Sequence, residues 1–363
     1  MSKKKVISTD FNFDALVELC QRTHQELRGQ AIRSVDIAMV ARNWLIGWYI
    51  VEYEQIGADR AKYGSRLIER LADRLCLKGS SATNLRKFRQ FYREYPIQQA
   101  LSVESGKVPS APLNWQAVSV ELLRKFSLSW SHYVALLSID NPEERQFYEI
   151  EAREGNWGGR DLERQIASSL YERLALSRDK KEIRRLSLKG QTVEKALDII
   201  KDPLVLEFLG IEEKSGYSEE ELETAIIDRI ESFLLEMGKG FLFESRQKRF
   251  TFDNDHFYVD LVFYNRLLRC YILVDLKRDK LTHQNLGQMQ MYVNYFDRHV
   301  KTKDELPTIG IVLCHRKNDT LVELTLPKEA NIFASKYQLY LPSKEILKAQ
   351  LEKIEAELSG GKS

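Results

Sequence analysis

In the first half of the chain, apolar residues recur at intervals of three and four, which is the spacing of an amphipathic helix. Residues 41–50 show it clearly, with two tryptophans among aliphatic side chains. The same spacing extends from residue 11 to about residue 175. We therefore predict that this part of the chain is helical throughout.

The second half changes to the shorter apolar runs that are typical of strands. Ser218 and Glu221 have the spacing of a capping box, which predicts a helix that begins there and ends at Met237. Turn-like clusters then separate runs rich in β-branched and aromatic residues. These runs predict strands at 241–252, 257–264, 269–276, 308–314 and about 336–341, with a helix over 282–297 before the fourth strand. This order of elements predicts an α/β domain with a central sheet.

The change of pattern predicts two domains within the 363 residues. The expected divisions are a helical N-terminal domain over 1–175, a basic linker over 176–215, the α/β domain over 216–345, and a charged C-terminal helix and tail over 346–363. The linker carries six lysines and arginines between residues 178 and 189. A solvated helix or hinge explains these charges better than a dedicated phosphate contact does.

Charge balance, cysteine spacing and the lengths of the apolar runs limit which kinds of protein and binding surface the sequence allows. Lysine and arginine total 55 against 53 acidic residues, so any nucleic-acid surface must be a local patch. The four cysteines are far apart and lack the spacing of a zinc site, which favours reduced thiols. We find no hydrophobic core of a signal peptide and no apolar run that could span a bilayer. We expect a cytoplasmic protein that makes no membrane contact.

Three charged residues interrupt two of the predicted strands. Asp260 lies in the apolar run 257–264, and alternation places Asp275 and Lys277 on one face of the next strand. A hairpin-length connection joins the strands, so we expect antiparallel pairing with Asp260 close to Asp275. Two carboxylates and a lysine suit a divalent cation and a phosphate. The alternative is that these are strand-end charges, with Asp275 and Lys277 merely paired.

Two helices beside these strands offer further candidates. Gln288 and Tyr292 are four residues apart on one helix face, where they would offer an amide and a phenol to a phosphate. The alternative is a half-buried Tyr292 beside a surface glutamine. In the preceding helix, Glu236 borders the apolar stripe and is the preferred third metal ligand, with Glu231 in reserve. An ordinary surface glutamate is the alternative there.

Together these residues resemble the PD-(D/E)XK nuclease superfamily, and the longer pattern is similar to its YhcG-like branch. The matching stretches are 233–241, Arg246-Gln247, 257–264, 274–277, 287–289 and 309–314, and in the first half 47–52, Tyr63-Gly64, 84–86 and 128–131. The resemblance implies a two-domain α+β protein. Its N-terminal domain would be all-α and helix-turn-helix-like, and its C-terminal domain a restriction-endonuclease-like α/β fold with a central mixed sheet flanked by helices.

The superfamily implies metal-dependent hydrolysis of phosphodiester bonds. Carried onto this chain, the metal ligands are Asp260, Asp275 and Glu236, and the ion is Mg²⁺ with Mn²⁺ as a substitute. Lys277 would orient or help to deprotonate the attacking water and offset charge on the phosphate. The resemblance extends the expected catalytic set to Gln288 and Tyr292, which match the Q-x-x-x-Y element of the RecB-like branch.

The match departs from the superfamily name at one position, because Val259 stands where the proline would precede the first aspartate. Many members lack that proline. Arg246 and Gln247 fall within a matching stretch, and we expect them to contact nucleic acid.

Residues 64–95 have the pattern of a helix, a short turn and a second helix. The second helix carries basic side chains with aromatic residues between them: Arg86, Lys87, Arg89 and Arg93. A helix-turn-helix that contacts DNA is one interpretation. An antiparallel helical pair in a bundle, with a solvated basic face, explains the pattern equally well.

Two functional hypotheses follow from the whole pattern. The first is a metal-dependent nuclease that acts on nucleic acid, with DNA as the expected substrate and a role in genome defence or mobile-element processing implied by the resemblance. The second is a catalytically silent nuclease fold that binds DNA or a protein partner. The carboxylates and the lysine favour the first, because burying such a set is costly unless it is used. A homodimer is expected, since two strands of a duplex require two cuts.

Overall fold

The computed structural model describes residues 35–51, 53–54, 66–75, 79–97, 125–176, 180–212, 216–327 and 329–351. The chain divides into two compact units, Met1–Asn141 and Pro142–Ser363. Within the described ranges, no helix is both long and apolar enough to cross a membrane.

The described part of the first unit is helical. Its helices are α1 (residues 35–51), α2 (Leu67–Leu75), α3 (Ala82–Glu94) and α4 (Trp130–Leu136). Helix α3 buries Leu85, Phe88 and Phe91 against its neighbours. A side chain at Gly47 of α1 would collide with the backbone carbonyl of Phe88, so a glycine is needed where α1 crosses α3.

The second unit begins with helices and continues into the sheet domain. Its helices are α5 (Pro142–Glu154), α6 (Gly159–Ala167), α7 (Leu170–Leu176), α8 (Lys180–Lys189), α9 (Glu219–Asp228), α10 (Ile230–Met237), α11 (His283–His299), α12 (Asp319–Thr325) and α13 (344–351). The strands are β1 (Leu204–Val205), β2 (Phe241–Phe252), β3 (Asp255–Asn265), β4 (Cys270–Lys280), β5 (Ile309–Arg316) and β6 (Ile332–Gln338).

The six strands form one mixed sheet in the order β1-β6-β5-β4-β3-β2. The pairs β1–β6, β6–β5 and β5–β4 are parallel, whereas the pairs β4–β3 and β3–β2 are antiparallel. Helices α9 and α10 cover one face through Leu222, Ile226 and Phe233. Helix α11 covers the other face through Met289 and Phe296. The expected mixed sheet flanked by helices is confirmed.

One local expectation requires correction. The predicted helix from Ser218 to Met237 is interrupted at Arg229, whose backbone has φ −121° and ψ 33°. The described part of the expected linker over 176–215 contains α8 and β1, and β1 pairs with β6. Helices α5 to α7 belong to the second compact unit, which begins at Pro142.

Candidate active site

The candidate site lies where β3 and β4 part. Their backbone pairing ends at Leu261 and Val274, so the next pair of positions places Asp260 beside Asp275. Beyond this point β4 pairs only with β5. We call this point, where β3 and β4 part, the fork. The Asp260 carboxylate lies in the fork, where its Oδ2 accepts a hydrogen bond of 2.8 Å from the backbone N–H of Leu276. The structure thus brings together the two strand aspartates that the sequence singles out.

Asp275 is buried, and Lys277 follows it on the same side of β4. The Lys277 Nζ lies 3.0 Å from Asp275 Oδ2. Burial raises the pKa of Asp275 well above its usual value, the Asp260 carboxylate raises it further, and Lys277 only partly offsets these effects. Burial alone would lower the pKa of Lys277, but the carboxylates around it, Asp275 first, raise it. The site therefore holds an ammonium ion that offsets only part of the cost of ionising Asp275.

Glu219 contributes a further carboxylate from the first turn of α9. Its Oε2 lies 3.5 Å from Lys277 Nζ, and its Oε1 accepts a hydrogen bond of 3.1 Å from the backbone N–H of Arg278. The predicted capping box, in which Ser218 and Glu221 exchange hydrogen bonds, fixes the start of this helix. The end of β4 is thus tied to the beginning of α9.

The sequence reasoning missed Glu223, which α9 directs toward the site. Its side chain is buried and accepts hydrogen bonds from Arg246 Nε and Gln247 Nε2. The same Gln247 amide donates to Asp260 Oδ1 at 3.1 Å, so Gln247 joins Glu223 to Asp260. A signal was present, because Glu223 precedes Ile226, a core residue of α9, by three residues and so shares its helix face.

Helix α11 places Gln288 and Tyr292 beside the strands. The Gln288 amide donates a hydrogen bond to the Tyr292 hydroxyl, and Tyr292 is buried. Burial raises the pKa of Tyr292 to about 12, with a further contribution from the Asp275 carboxylate. The phenol is therefore protonated at neutral pH and can donate a hydrogen bond toward the carboxylates.

Glu236, the predicted third ligand, lies elsewhere. It is fully buried, with Oε1 2.6 Å from Arg173 Nη1 and 3.0 Å from the backbone nitrogen of Val205, while Oε2 contacts Arg164. The structure does not bring Glu236 together with the two strand aspartates, because these groups already bind both of its carboxylate oxygens. The reserve candidate, Glu231, is exposed and lines a cavity with Lys239 and Arg266. Helical periodicity predicts that Glu236 borders a buried face, but it carries no information about which residues pack against that face.

The basic residues of α3 belong to the first unit, and three of them pair with carboxylates there. Arg86 pairs with Glu69, and Arg89 and Arg93 both pair with Glu54. Lys87, the fourth predicted contact, is partly exposed. These pairs fit the helical-bundle interpretation, and a nucleic-acid role for this helix stays a prediction.

The donor groups at the fork fit a divalent cation of the Mg²⁺ type. Such an ion retains several waters and takes one or two carboxylates from the protein. Among the described residues, no cluster of three or more histidine, cysteine, aspartate or glutamate side chains is spaced to hold a metal, so Asp260 and Asp275 would have to suffice. Asp275 Oδ2 is buried and accepts no hydrogen bond, although Lys277 is close. A cation would stabilise these two repelling carboxylates.

We expect Asp275→Asn to stabilise the metal-free protein, because it removes a buried charge that Asp260 repels. Measured in EDTA at pH 8, its Tm should exceed that of the wild type by about 3 °C. Addition of Mg²⁺ should raise the Tm of the wild type and leave that of the variant unchanged. Asp279→Asn, an exposed change on the same strand, is the control and should behave as wild type. A variant that is less stable in EDTA would contradict this account.

Two family models match most of the chain between them. Residues 197–352 match the family model of the YhcG PDDEXK nuclease domain, and residues 20–173 match that of the DUF1016 N-terminal domain. A relative from Escherichia coli (strain K12), "Putative nuclease YhcG", is 41% identical over an alignment of 351 residues that covers 92% of each chain.

Two solved structures also align with part of the chain. A repair endonuclease from Pyrococcus abyssi is 17% identical over 36% of this chain, with a TM-score of 0.23. The EndoMS–dsDNA2 complex is 16% identical over 37% of it, with a TM-score of 0.24. The alignments cover 50% and 51% of those two chains, so this chain spans about half their length.

Proposed function

The chain belongs to the YhcG family of PDDEXK nucleases, and from this membership and the geometry of the fork we propose that it hydrolyses phosphodiester bonds of DNA with the help of Mg²⁺, for which Mn²⁺ can substitute. The observation that carries the proposal is the convergence of Asp260 and Asp275 at the parting of two strands, with Lys277 3.0 Å from Asp275. A purely structural role would not leave a buried carboxylate with its charge only partly neutralised.

Each residue then has a chemical task. Asp260 and Asp275 would hold the divalent ion, which when bound polarises a phosphate oxygen and lowers the pKa of a water. Lys277 orients the attacking water. It also offsets the negative charge that grows on the phosphate as the water oxygen bonds to phosphorus and the bond from phosphorus to the leaving sugar oxygen breaks. Leu276 holds Asp260 in place through its backbone N–H.

We propose Glu223 in place of Glu236 as the helix glutamate of the site. Glu223 reaches Asp260 through the Gln247 amide, and Arg246 balances its charge. This connection supports a role in holding Asp260 and in binding water near the ion. Arg246 and Gln247 then act on the carboxylates of the site, and their predicted contact with nucleic acid is secondary.

Gln288 and Tyr292 complete the proposed site. The protonated Tyr292 donates toward the carboxylates, and Gln288 fixes the direction of its hydroxyl. We further propose a homodimer, because cutting a duplex requires two sites, and a role in genome defence or mobile-element processing. The first unit would supply contacts to DNA or to a partner protein.

The test is incubation of the purified full-length protein with supercoiled, linear, single-stranded and branched DNA and with RNA. We expect cleavage with Mg²⁺ or Mn²⁺, none in EDTA, and none by Asp260→Asn, with a preference for DNA. Asp279→Asn is the matched control, because this aspartate is exposed on the neighbouring strand. Absence of cleavage by the wild type, with DNA still bound, would indicate the silent binding module instead.

A further inference from the structure

Strands β2 and β3 continue beyond the sheet as a two-stranded ribbon. Their pairing extends to Phe252 and Asp255, whereas β3 pairs with β4 only up to Leu261. Asp253 and Asn254 close the ribbon with φ values of 49° and 65°, the left-handed backbone of a tight hairpin turn. The ribbon therefore begins at Asp260 and projects away from the fork.

One face of the ribbon is aromatic and fixes it to α11. Phe250 stacks on Tyr295 with ring centroids 4.1 Å apart and meets Tyr292 edge-on at 5.5 Å. Phe252 and Phe257 stack on each other at 4.7 Å. Since α11 also carries the Gln288–Tyr292 pair, this packing holds the ribbon at a defined position relative to the candidate site.

The opposite face is polar and exposed. Arg249 pairs across the strands with Tyr258, and Thr251 pairs with His256. The Arg249 Nη2 lies 3.0 Å from His256 Nε2, and the Thr251 hydroxyl lies 3.0 Å from His256 Nδ1. We call these four residues the ribbon strip. Along β3, His256, Tyr258 and Asp260 are alternate residues, so the strip follows the face of the strand that ends at Asp260.

Arg249 differs from the neighbouring cations of β2 in its charge balance. Arg246 pairs with Glu223, and Lys248 pairs with Glu244. Within the described ranges, no carboxylate lies at ion-pair distance from Arg249, whose contacts are with His256. Its positive charge is thus available to an external anion, beside a Tyr258 that is 44% exposed.

Resting on the proposed function, we infer that the ribbon strip binds the nucleic-acid strand next to the scissile phosphate. Tyr258 lies about 7 Å along β3 from Asp260, roughly two nucleotide rises of a duplex. Arg249 would bind a phosphate at that position with its guanidinium, and Tyr258 would pack its ring on the adjoining sugar or base. The exposed Asp253 and Asp255 at the tip repel phosphates, so the contact ends at His256.

The experiment measures binding of the full-length protein to a fluorescent DNA duplex in EDTA, where the probe stays intact, across a range of salt concentrations. Arg249→Gln should weaken binding about five- to tenfold and reduce the slope of log Kd against log salt by about one. Lys248→Gln is the matched control, because it removes one positive charge from the residue that precedes Arg249. Since Lys248 already pairs with Glu244, this change should alter Kd less than twofold. Tyr258→Ala should weaken binding while Tyr258→Phe retains it.

Cleavage assays with Mg²⁺ separate this inference from the function on which it rests. If the wild type cleaves DNA but Arg249→Gln binds it no more weakly than Lys248→Gln does, the inference about the ribbon strip is wrong and the proposed nuclease activity is supported. If Arg249→Gln binds DNA more weakly but neither the wild type nor any variant cleaves it, the inference about the ribbon strip is supported and the proposed nuclease activity is wrong. A wild type that neither binds nor cleaves any nucleic acid overturns both.

Discussion

Replacing Lys277 with methionine should lower the rate of DNA cleavage by about a thousandfold, with little change in DNA affinity. Removal of one preorganised charge that acts on the developing phosphate charge costs roughly two to three orders of magnitude, and loss of water positioning adds to it. Methionine keeps the length of the side chain and removes the ammonium. Single-turnover cleavage with saturating protein measures the chemical step directly.

The Lys277→Met variant should keep its metal site. Its Tm should rise on addition of Mg²⁺ at least as much as that of the wild type, because Asp260 and Asp275 lose the Lys277 ammonium and gain more from the cation. Lys280→Met is the matched control, since Lys280 is exposed on the same strand. A variant that cleaves within tenfold of the wild-type rate would rule out this role for Lys277.

Strands β2 to β5 were predictable because turn residues mark their ends, whereas β6 begins at Ile332 and not near residue 336 as predicted. The run 241–252 coincides with β2, and the Asp253-Asn254 turn falls where the composition placed it. The break at Arg229 was not predictable in this way, because the apolar stripe continues through both helices without a proline or glycine. Likewise β1 is only a two-residue strand, and pairing with β6, more than a hundred residues later, makes it part of the sheet.

The strand residues of the site were also predictable, and the helix glutamate was not. Alternation fixes the faces of β3 and β4, and a short connection fixes their antiparallel pairing, which together bring Asp260 to Asp275. The choice between Glu223 and Glu236 depends instead on which partners meet each one. The two arginine partners of Glu236 come from α6 and α7, more than sixty residues away. Periodicity within one helix carries no information about such partners.

Glu236→Gln should destabilise the second unit by about 3–5 kcal/mol, since it leaves Arg173 buried without its counter-charge. Arg173 and Glu236 side chains are both fully buried. At 2–4 °C per kcal/mol, we expect a fall in Tm of about 10 °C. Glu231→Gln makes the same chemical change on the exposed side of the same helix, and should alter stability by less than about 0.5 kcal/mol.

The pH dependence of this difference identifies its cause. Burial opposes ionisation of Glu236, but Arg173, Lys201 and Arg164 outweigh it and lower the pKa of Glu236 to about 2, from 4.5 for the free side chain. The ion pair therefore contributes its full stability above pH 4.5 and loses it as the pH falls towards 2. Urea titrations should show the wild type and Glu236→Gln converging over that interval. A different result would contradict this account: a variant that has the wild-type free energy of unfolding at pH 7, and whose Tm no longer rises on addition of Mg²⁺. Glu236 would then be a metal ligand, and its pairing with Arg173 would not stabilise the fold.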